Sequence, residues 1–159
     1  MAFVRAVLDR EAARKLDAGE RERVARELVF AEHQYDLPVT LALAIIKQES
    51  RFDPAARGPS GSIGLMQLQP ATAREIAERT GLVWTSQSVL RNPEVNVRLG
   101  IAYLVELRNR FKNTEHAVGA YNIGPAKMRR LLARRPFRRG PYLTKVYGHA
   151  EALENEYLD

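Results

Sequence analysis

Residues 39–50 constrain the fold more than any other stretch. Leu41, Leu43, Ile45 and Ile46, with Ala42 and Ala44 between them, make this segment apolar nearly all round. A helix of that kind has no face to offer solvent, so the rest of the chain must wrap it. A chain of 159 residues is long enough to do so as one domain. Folding at that length buries about 68–70% of the unfolded surface.

The remaining pattern is also helical. Val24, Leu28, Ala31 and Tyr35 recur at helical spacing, as do Val97, Ile101, Leu104 and Phe111, and Tyr142, Val146, Ala150, Leu153 and Tyr157. Pro38 and Pro70 sit where first helical positions belong, ahead of 39–50 and 71–80, and Asn92-Pro93 with Glu94 is a further start signal. Breaks are expected at Asp17-Ala18-Gly19, Asp53 to Gly64, Gly81 to Asn92, Asn122 to Pro125 and Pro136 to Pro141. Only Leu82-Val83-Trp84-Thr85 looks strand-like, and it is too short to found a sheet. The expectation is a single all-α domain of about seven to nine helices, with N-terminal helices over 1–36 packing on a core over 37–159.

Against that background Glu49 does not belong. At about 100° per residue it lies on the same stripe as Ala42, Ile45 and Ile46, while Lys47 points the other way. A carboxylate there must be paired, hydrogen-bonded or protonated. Two readings stand side by side. It forms an ion pair with a neighbour such as Arg51, or it is a desolvated carboxyl whose raised pKa suits a general acid.

The segments that follow favour chemistry. Ser50, Arg51, Phe52, Asp53 and Pro54 lead into a loop with Gly58, Gly61 and Gly64, then Leu65-Met66-Gln67. Such glycine density lets backbone approach a ligand, and Gln67 offers both a donor and an acceptor. Ala120-Tyr121-Asn122-Ile123-Gly124-Pro125 closes another helix with an aromatic, an amide and a turn. Asp53, the only other nearby acid, precedes Pro54 and reads as a turn residue.

Charge is uneven. Lys127, Arg129, Arg130, Arg134, Arg135, Arg138 and Arg139 put seven bases in thirteen positions with no acid among them. Without them, eighteen bases face nineteen acids. This segment is either a solvated helix face or an attractor for a polyanion. With no aromatic interleaved beyond Phe137, nucleic acid is not the expected partner.

Several classes fall away. The chain has no cysteine, hence no disulfide framework or thiolate zinc site. His33, His116 and His149 are scattered and form no H-E-x-x-H pair. Gly58-Pro59-Ser60-Gly61 misses the nucleophile-elbow spacing, and no Walker loop or dinucleotide fingerprint occurs. The longest apolar run, Leu41 to Ile46, is far short of the roughly 20 residues of a membrane span. Met1 to Leu8 does not read as a signal peptide, because Arg5, Asp9 and Arg10 interrupt it.

Glu49-Ser50, Gly64-Leu65-Met66-Gln67 and Ala120-Tyr121-Asn122-Ile123-Gly124, in that order, resemble the catalytic domain of soluble-type lytic transglycosylases, related to goose-type lysozyme. Pro70-Ala71-Thr72-Ala73, Asn92-Pro93 with Asn96, Leu99-Gly100 and Tyr103-Leu104 add to the match, which runs from about Leu37 to Tyr147. The resemblance implies a lysozyme-like helical fold cleaving the MurNAc–GlcNAc β-1,4 bond of peptidoglycan and leaving a 1,6-anhydro end. It implies Glu49 as the acid and then base, with no metal or organic cofactor. Ser50 would orient Glu49 or cap its helix. Ser60, Gln67 and Asn122 would bond sugar or acetamido groups, and Met66, Tyr121 and Tyr142 would line the cleft with apolar surface.

The chain departs from the family pattern at Gly58, where a serine is common, and at Gln69, where methionine is frequent. It departs again after Pro136-Phe137, where Arg138-Arg139-Gly140 stands in place of Glu-Thr. A goose-lysozyme-like muramidase and a non-catalytic glycan-binding module of a secretion or phage machine are the competing expectations. The implied partner is the glycan strand of peptidoglycan, with anionic wall polymers or stem peptides drawn to Arg129 through Arg139. A monomer is expected, in the periplasm or bacterial cell envelope or in a phage virion, with the export signal absent from this chain.

Overall fold

The computed structural model describes residues 1–157, the side chain of Tyr157 excepted. The last member of the stripe beginning at Tyr142, and residues 158–159 of the expected core, therefore lie outside the described residues. Eight α-helices occur among them: α1 (Ala2–Glu11), α2 (Ala18–Tyr35), α3 (Val39–Ser50), α4 (Pro70–Thr80), α5 (Pro93–Phe111), α6 (Thr114–Ile123), α7 (Pro125–Arg134) and α8 (Pro141–Tyr157). The fold is all-helical.

As its composition requires, α3 runs through the middle. Every residue from Val39 to Ile46 is buried, and the helix packs against α8 and α2. Lys47 reaches out from it, its Nζ pairing with Glu11 at 3.1 Å. One hydrophobic cluster extends from Val4 in α1 to Leu153 in α8. Shortening a core side chain such as Leu43 to alanine costs about 2–5 kcal/mol. A second cluster, with Ile63, Ile76, Leu90 and Leu99, sits between α4, α5 and the loops beside them.

Helix starts follow their capping residues. Asp17 Oδ1 accepts from the Glu20 N–H at 2.7 Å while the Glu20 carboxylate accepts from the Asp17 N–H at 2.8 Å, a reciprocal capping box. Ala18-Gly19 is therefore the first turn of α2 rather than a break, because the cap outweighs the poor propensity of one glycine. Asn92 caps α5 and Asn113 caps α6 through the side-chain oxygen alone, accepting from the Val95 and His116 N–H groups. The expected break at Asn122 to Pro125 narrows to Gly124, at φ 85°, between two directly abutting helices. Within 81–92 the chain makes a 3-10 turn, Gln87–Arg91. The strand-like Leu82–Thr85 remains irregular, having no neighbouring strand to pair with.

Candidate active site

Glu49 is the penultimate residue of α3, and the chain must leave the helix at once for the following loop to fold back. Arg51 and Phe52 both take positive φ, 51° and 62°. Phe52 is 1% exposed and anchors that reversal in the core. Burying its ring offsets the strain of two left-handed residues, each of order 1–3 kcal/mol.

The loop is then tied to itself. Asp53 Oδ1 accepts from the Ala55 N–H at 2.9 Å, which makes it the turn residue its sequence context predicts. Ile63 and Leu68 exchange backbone hydrogen bonds at 3.0 and 3.1 Å. Asn96, 0% exposed, reaches in from α5. Its Oδ1 accepts from the Met66 N–H at 2.7 Å, and its Nδ2 donates to the Ile63 and Leu90 carbonyls, each at 2.9 Å. Truncating Asn96 would orphan those groups, at about 1–3 kcal/mol for each one left unpaired. The same close approach explains Gly64: at φ 83° a Cβ there would lie 2.3 Å from Asn96 Nδ2. Gly100 is required in turn by Met66, whose Sδ would stand 2.4 Å from a Cβ at that position.

The environment of Glu49 decides between the two readings. Among the described residues it has no ion pair, and Arg51 is exposed. The polar partner of the Glu49 carboxyl among the described residues is Tyr142, at the start of α8, whose hydroxyl donates a hydrogen bond to Oε1. Burial pushes the Glu49 carboxyl above its ordinary pKa, with the Tyr142 hydrogen bond pulling weakly the other way. Tyr142 is itself pushed far up, first by burial and then by the adjacent carboxylate, so it stays a hydrogen-bond donor. Tyr121, on α6, feels the Glu49 charge as well, though burial is the larger cause of its rise. Its hydroxyl donates to the Met66 carbonyl at 2.7 Å, and its ring lies 5.4 Å from that of Tyr103. A hollow of about 320 Å³ opens beside Tyr121, lined also by Gln67, Thr72, Asn122 and Pro125.

The structure thus brings Glu49, Tyr142 and Tyr121 together, with Asn122 exposed at the rim. Other residues sit differently from what the motifs suggest. Met66 is 0% exposed and packs on Gly100, so its side chain does not line the cleft, and its carbonyl is taken by the Tyr121 hydroxyl. Gln67 spends its amide inside the loop, donating to Ala56 and Gly64 and accepting from Ser62. Ser50 donates to the Ile46 carbonyl at 3.2 Å, closing the end of α3. Ser60 is exposed at the tip of the loop. Ser62 is the residue that the sequence underweights. A Cβ at Gly58 would fall 2.1 Å from Ser62 Oγ, so this hydroxyl occupies the space a side chain at 58 would fill. Among the described residues no three His, Asp or Glu side chains gather as metal ligands.

Known proteins resemble this chain in sequence and fold. A family model, the Transglycosylase SLT domain, matches residues 28–140. The soluble lytic murein transglycosylase of Escherichia coli is 34% identical over 96 residues, which are 59% of this chain and 15% of that protein. The endo-type membrane-bound lytic murein transglycosylase A of Klebsiella pneumoniae is 45% identical over 73 residues, 43% of this chain and 35% of that protein. Among solved structures, an inactive mutant of the lytic transglycosylase Slt from Pseudomonas aeruginosa superposes with a TM-score of 0.75 at 30% identity, covering 94% of this chain and 25% of that one. The chain therefore spans a minor part of each relative's length. With a matching family model over most of its residues and a half-buried glutamate at the end of a central helix, it belongs to the transglycosylase SLT domain family.

Proposed function

We propose that the chain is a peptidoglycan lytic transglycosylase, cleaving the MurNAc–GlcNAc β-1,4 bond with one glutamate and leaving a 1,6-anhydroMurNAc end. The observation that carries this is the state of Glu49: half-buried, unpaired with any cation among the described residues, and raised in pKa by desolvation. A neutral carboxyl is a proton donor near neutral pH. Glu49 gives its proton to the departing glycosidic oxygen, and the C1–O bond breaks. The substrate's 2-acetamido oxygen closes on C1 and holds it as an oxazolinium. Glu49, now a carboxylate, takes the proton of the C6 hydroxyl as that oxygen attacks C1 and expels the acetamido oxygen. The cycle ends with Glu49 neutral again and no water consumed.

The neighbours divide the work. Tyr142 holds the carboxyl in place and donates to it most strongly when it is charged, between the two steps. Tyr121, pinned through Met66, contributes ring surface and excludes water. Asn122 and Ser60 are free to bond sugar and acetamido groups. Relatives named as murein transglycosylases support the substrate class, and the cell envelope is the compartment where that substrate lies.

The competing reading is a muramidase of the goose-lysozyme kind, in which a second acid positions water. Among the described residues no second carboxylate bonds to the Glu49–Tyr142 pair, which favours the ring closure. Mass spectrometry of digested peptidoglycan separates the two. New muramyl ends lighter by one water than a reducing sugar are expected, and reducing ends would overturn the proposal. Binding with no turnover would support the non-catalytic module.

A further inference from the structure

The cationic segment acquires a location in the fold. The chain leaves the hollow at Gly124 and Pro125, runs through α7 and residues 135–140, and returns to Glu49 at Tyr142. All seven bases lie in that excursion, whose two ends both border the candidate active site.

Their pairing sets them apart. Elsewhere ten of the eighteen Lys and Arg residues hold a carboxylate, among them Arg5, Arg21, Arg79 and Arg98. Within the excursion only Arg139 does so among the described residues, on Glu115, and its guanidinium also lies 4.3 Å from the centre of the Tyr147 ring. Lys127, Arg130, Arg134 and Arg135, with Leu131, instead line a shallow hollow of about 440 Å³.

The segment is arranged against its own stability. Lys127 stands in the first turn of α7, where the helix dipole disfavours a cation and no acid is present. Lys127, Arg130 and Arg134 share one face at i, i+3 and i+7, so like charges repel along it. Solubility alone requires no such alignment, since the remainder of the chain interleaves both signs. A negatively charged ligand would relieve the repulsion, and arginine forks suit carboxylates. Phe137 is packed edge-on against His116 at 4.6 Å, so the segment offers no free aromatic platform for stacked bases.

We infer that the 125–140 excursion is a docking surface for the acidic peptide stems carried by the glycan strand seated in the cleft. The inference rests on the proposed transglycosylase reading for the presence of that strand. Stem carboxylates next to the scissile bond meet Arg130, Arg134 and Arg135 while the sugars occupy the hollow at Tyr121. The α7 helix, about 15 Å long, extends the binding surface beyond the cleft.

The test compares the full chain with an Arg130→Gln/Arg134→Gln/Arg135→Gln variant whose melting curve matches the parent's. Turnover is measured on glycan strands with intact stems and on strands stripped of them by an amidase. On intact strands the variant should show a KM raised about tenfold at low salt, given three exposed pairs lost, and the difference should vanish in high salt. On stripped strands the two proteins should match. Equal effects on both substrates, or none on either, would overturn the inference. Co-sedimentation with intact sacculi gives a readout independent of catalysis: weaker pelleting of the variant supports the surface even if neither protein turns over, an outcome that would defeat the catalytic reading alone. Duplex DNA serves as the control polyanion. Parent affinity for DNA equal to that for intact strands, lost equally in the variant, would also overturn the assignment to peptide stems.

Discussion

Glu22 and Glu49 show how differently one side chain behaves in two regions of this molecule. Glu22, on the surface of α2, is held by Arg5 and Arg26 at 2.8 and 3.1 Å, and its carboxyl is pulled down to about 2, chiefly by the Arg5 hydrogen bond. Glu49, at the end of α3, has burial around it and a tyrosine hydroxyl on it, and its carboxyl is pushed up. The difference lies in what surrounds each group and not in the groups themselves. An acid held by two arginines is locked in its charged form and has no proton to give at neutral pH. A desolvated acid without a cation holds its proton to higher pH than a free one.

The largest expected effect comes from removing the proton and keeping the shape. Glu49→Gln should reduce turnover of peptidoglycan at least about 100-fold, the lower end for loss of a general acid, measured by release of soluble muropeptides. Glu22→Gln in the same assay should leave the rate unchanged. A Glu49→Gln protein retaining a large part of parental activity would erase the functional side of the contrast.

Much of that contrast was legible before any coordinates. The helical wheel places Glu49 among Ala42, Ile45 and Ile46; α3 is buried from Val39 to Ile46, while Glu49, near its end, is half-buried and desolvated. The partner was another matter. Tyr142 lies 93 residues away, and only the family resemblance, not any local pattern, pointed to it. Asn96 enters the sequence reading only as a match to the family pattern, and its role as an organiser is not visible there; its place beside Val97 on the buried side of α5 is the available signal. Ser62 was passed over for Ser60, since glycine-rich loops have no period from which to tell an inward hydroxyl from an outward one. Met66 misled for a related reason. Its motif position borders the cleft, but at Gly100 the core has the room that a long flexible side chain fills.

A smaller effect should follow from Tyr142→Phe, which keeps the ring and removes the hydroxyl. The hydrogen bond favours the charged carboxylate, so its loss should raise the pKa of Glu49 further. The fall in activity with rising pH, which tracks loss of the Glu49 proton, should then move to higher pH. An unmoved limb would show that Tyr142 does not tune the acid, and a limb moved downward would reverse the sign assigned to this contact.

The smallest effects, on stability, carry opposite signs at the two sites. Glu49 has its pKa raised on folding, so the parent is most stable below the ordinary carboxylate value and loses stability as pH climbs through the folded value. Glu49→Gln cannot ionise and should melt higher than the parent at neutral pH, by about 2–4 °C for each kcal/mol gained in a protein of this size. That advantage should fade as the solution is acidified below the ordinary carboxylate value, where the folded and unfolded chains are both protonated. Glu22 has its pKa lowered, so its contribution is present above 4.5 and is lost as pH falls toward about 2. Glu22→Gln should therefore melt slightly below the parent at neutral pH, with the deficit closing on acidification and in high salt, where exposed pairs are screened. Melting curves of the three proteins between pH 2 and 8, a window spanning the carboxylate range, test both signs together. Two variants displaced from the parent in the same direction at neutral pH would mean that burial does not separate these carboxylates, and the electrostatic basis for Glu49 as the acid would go with it.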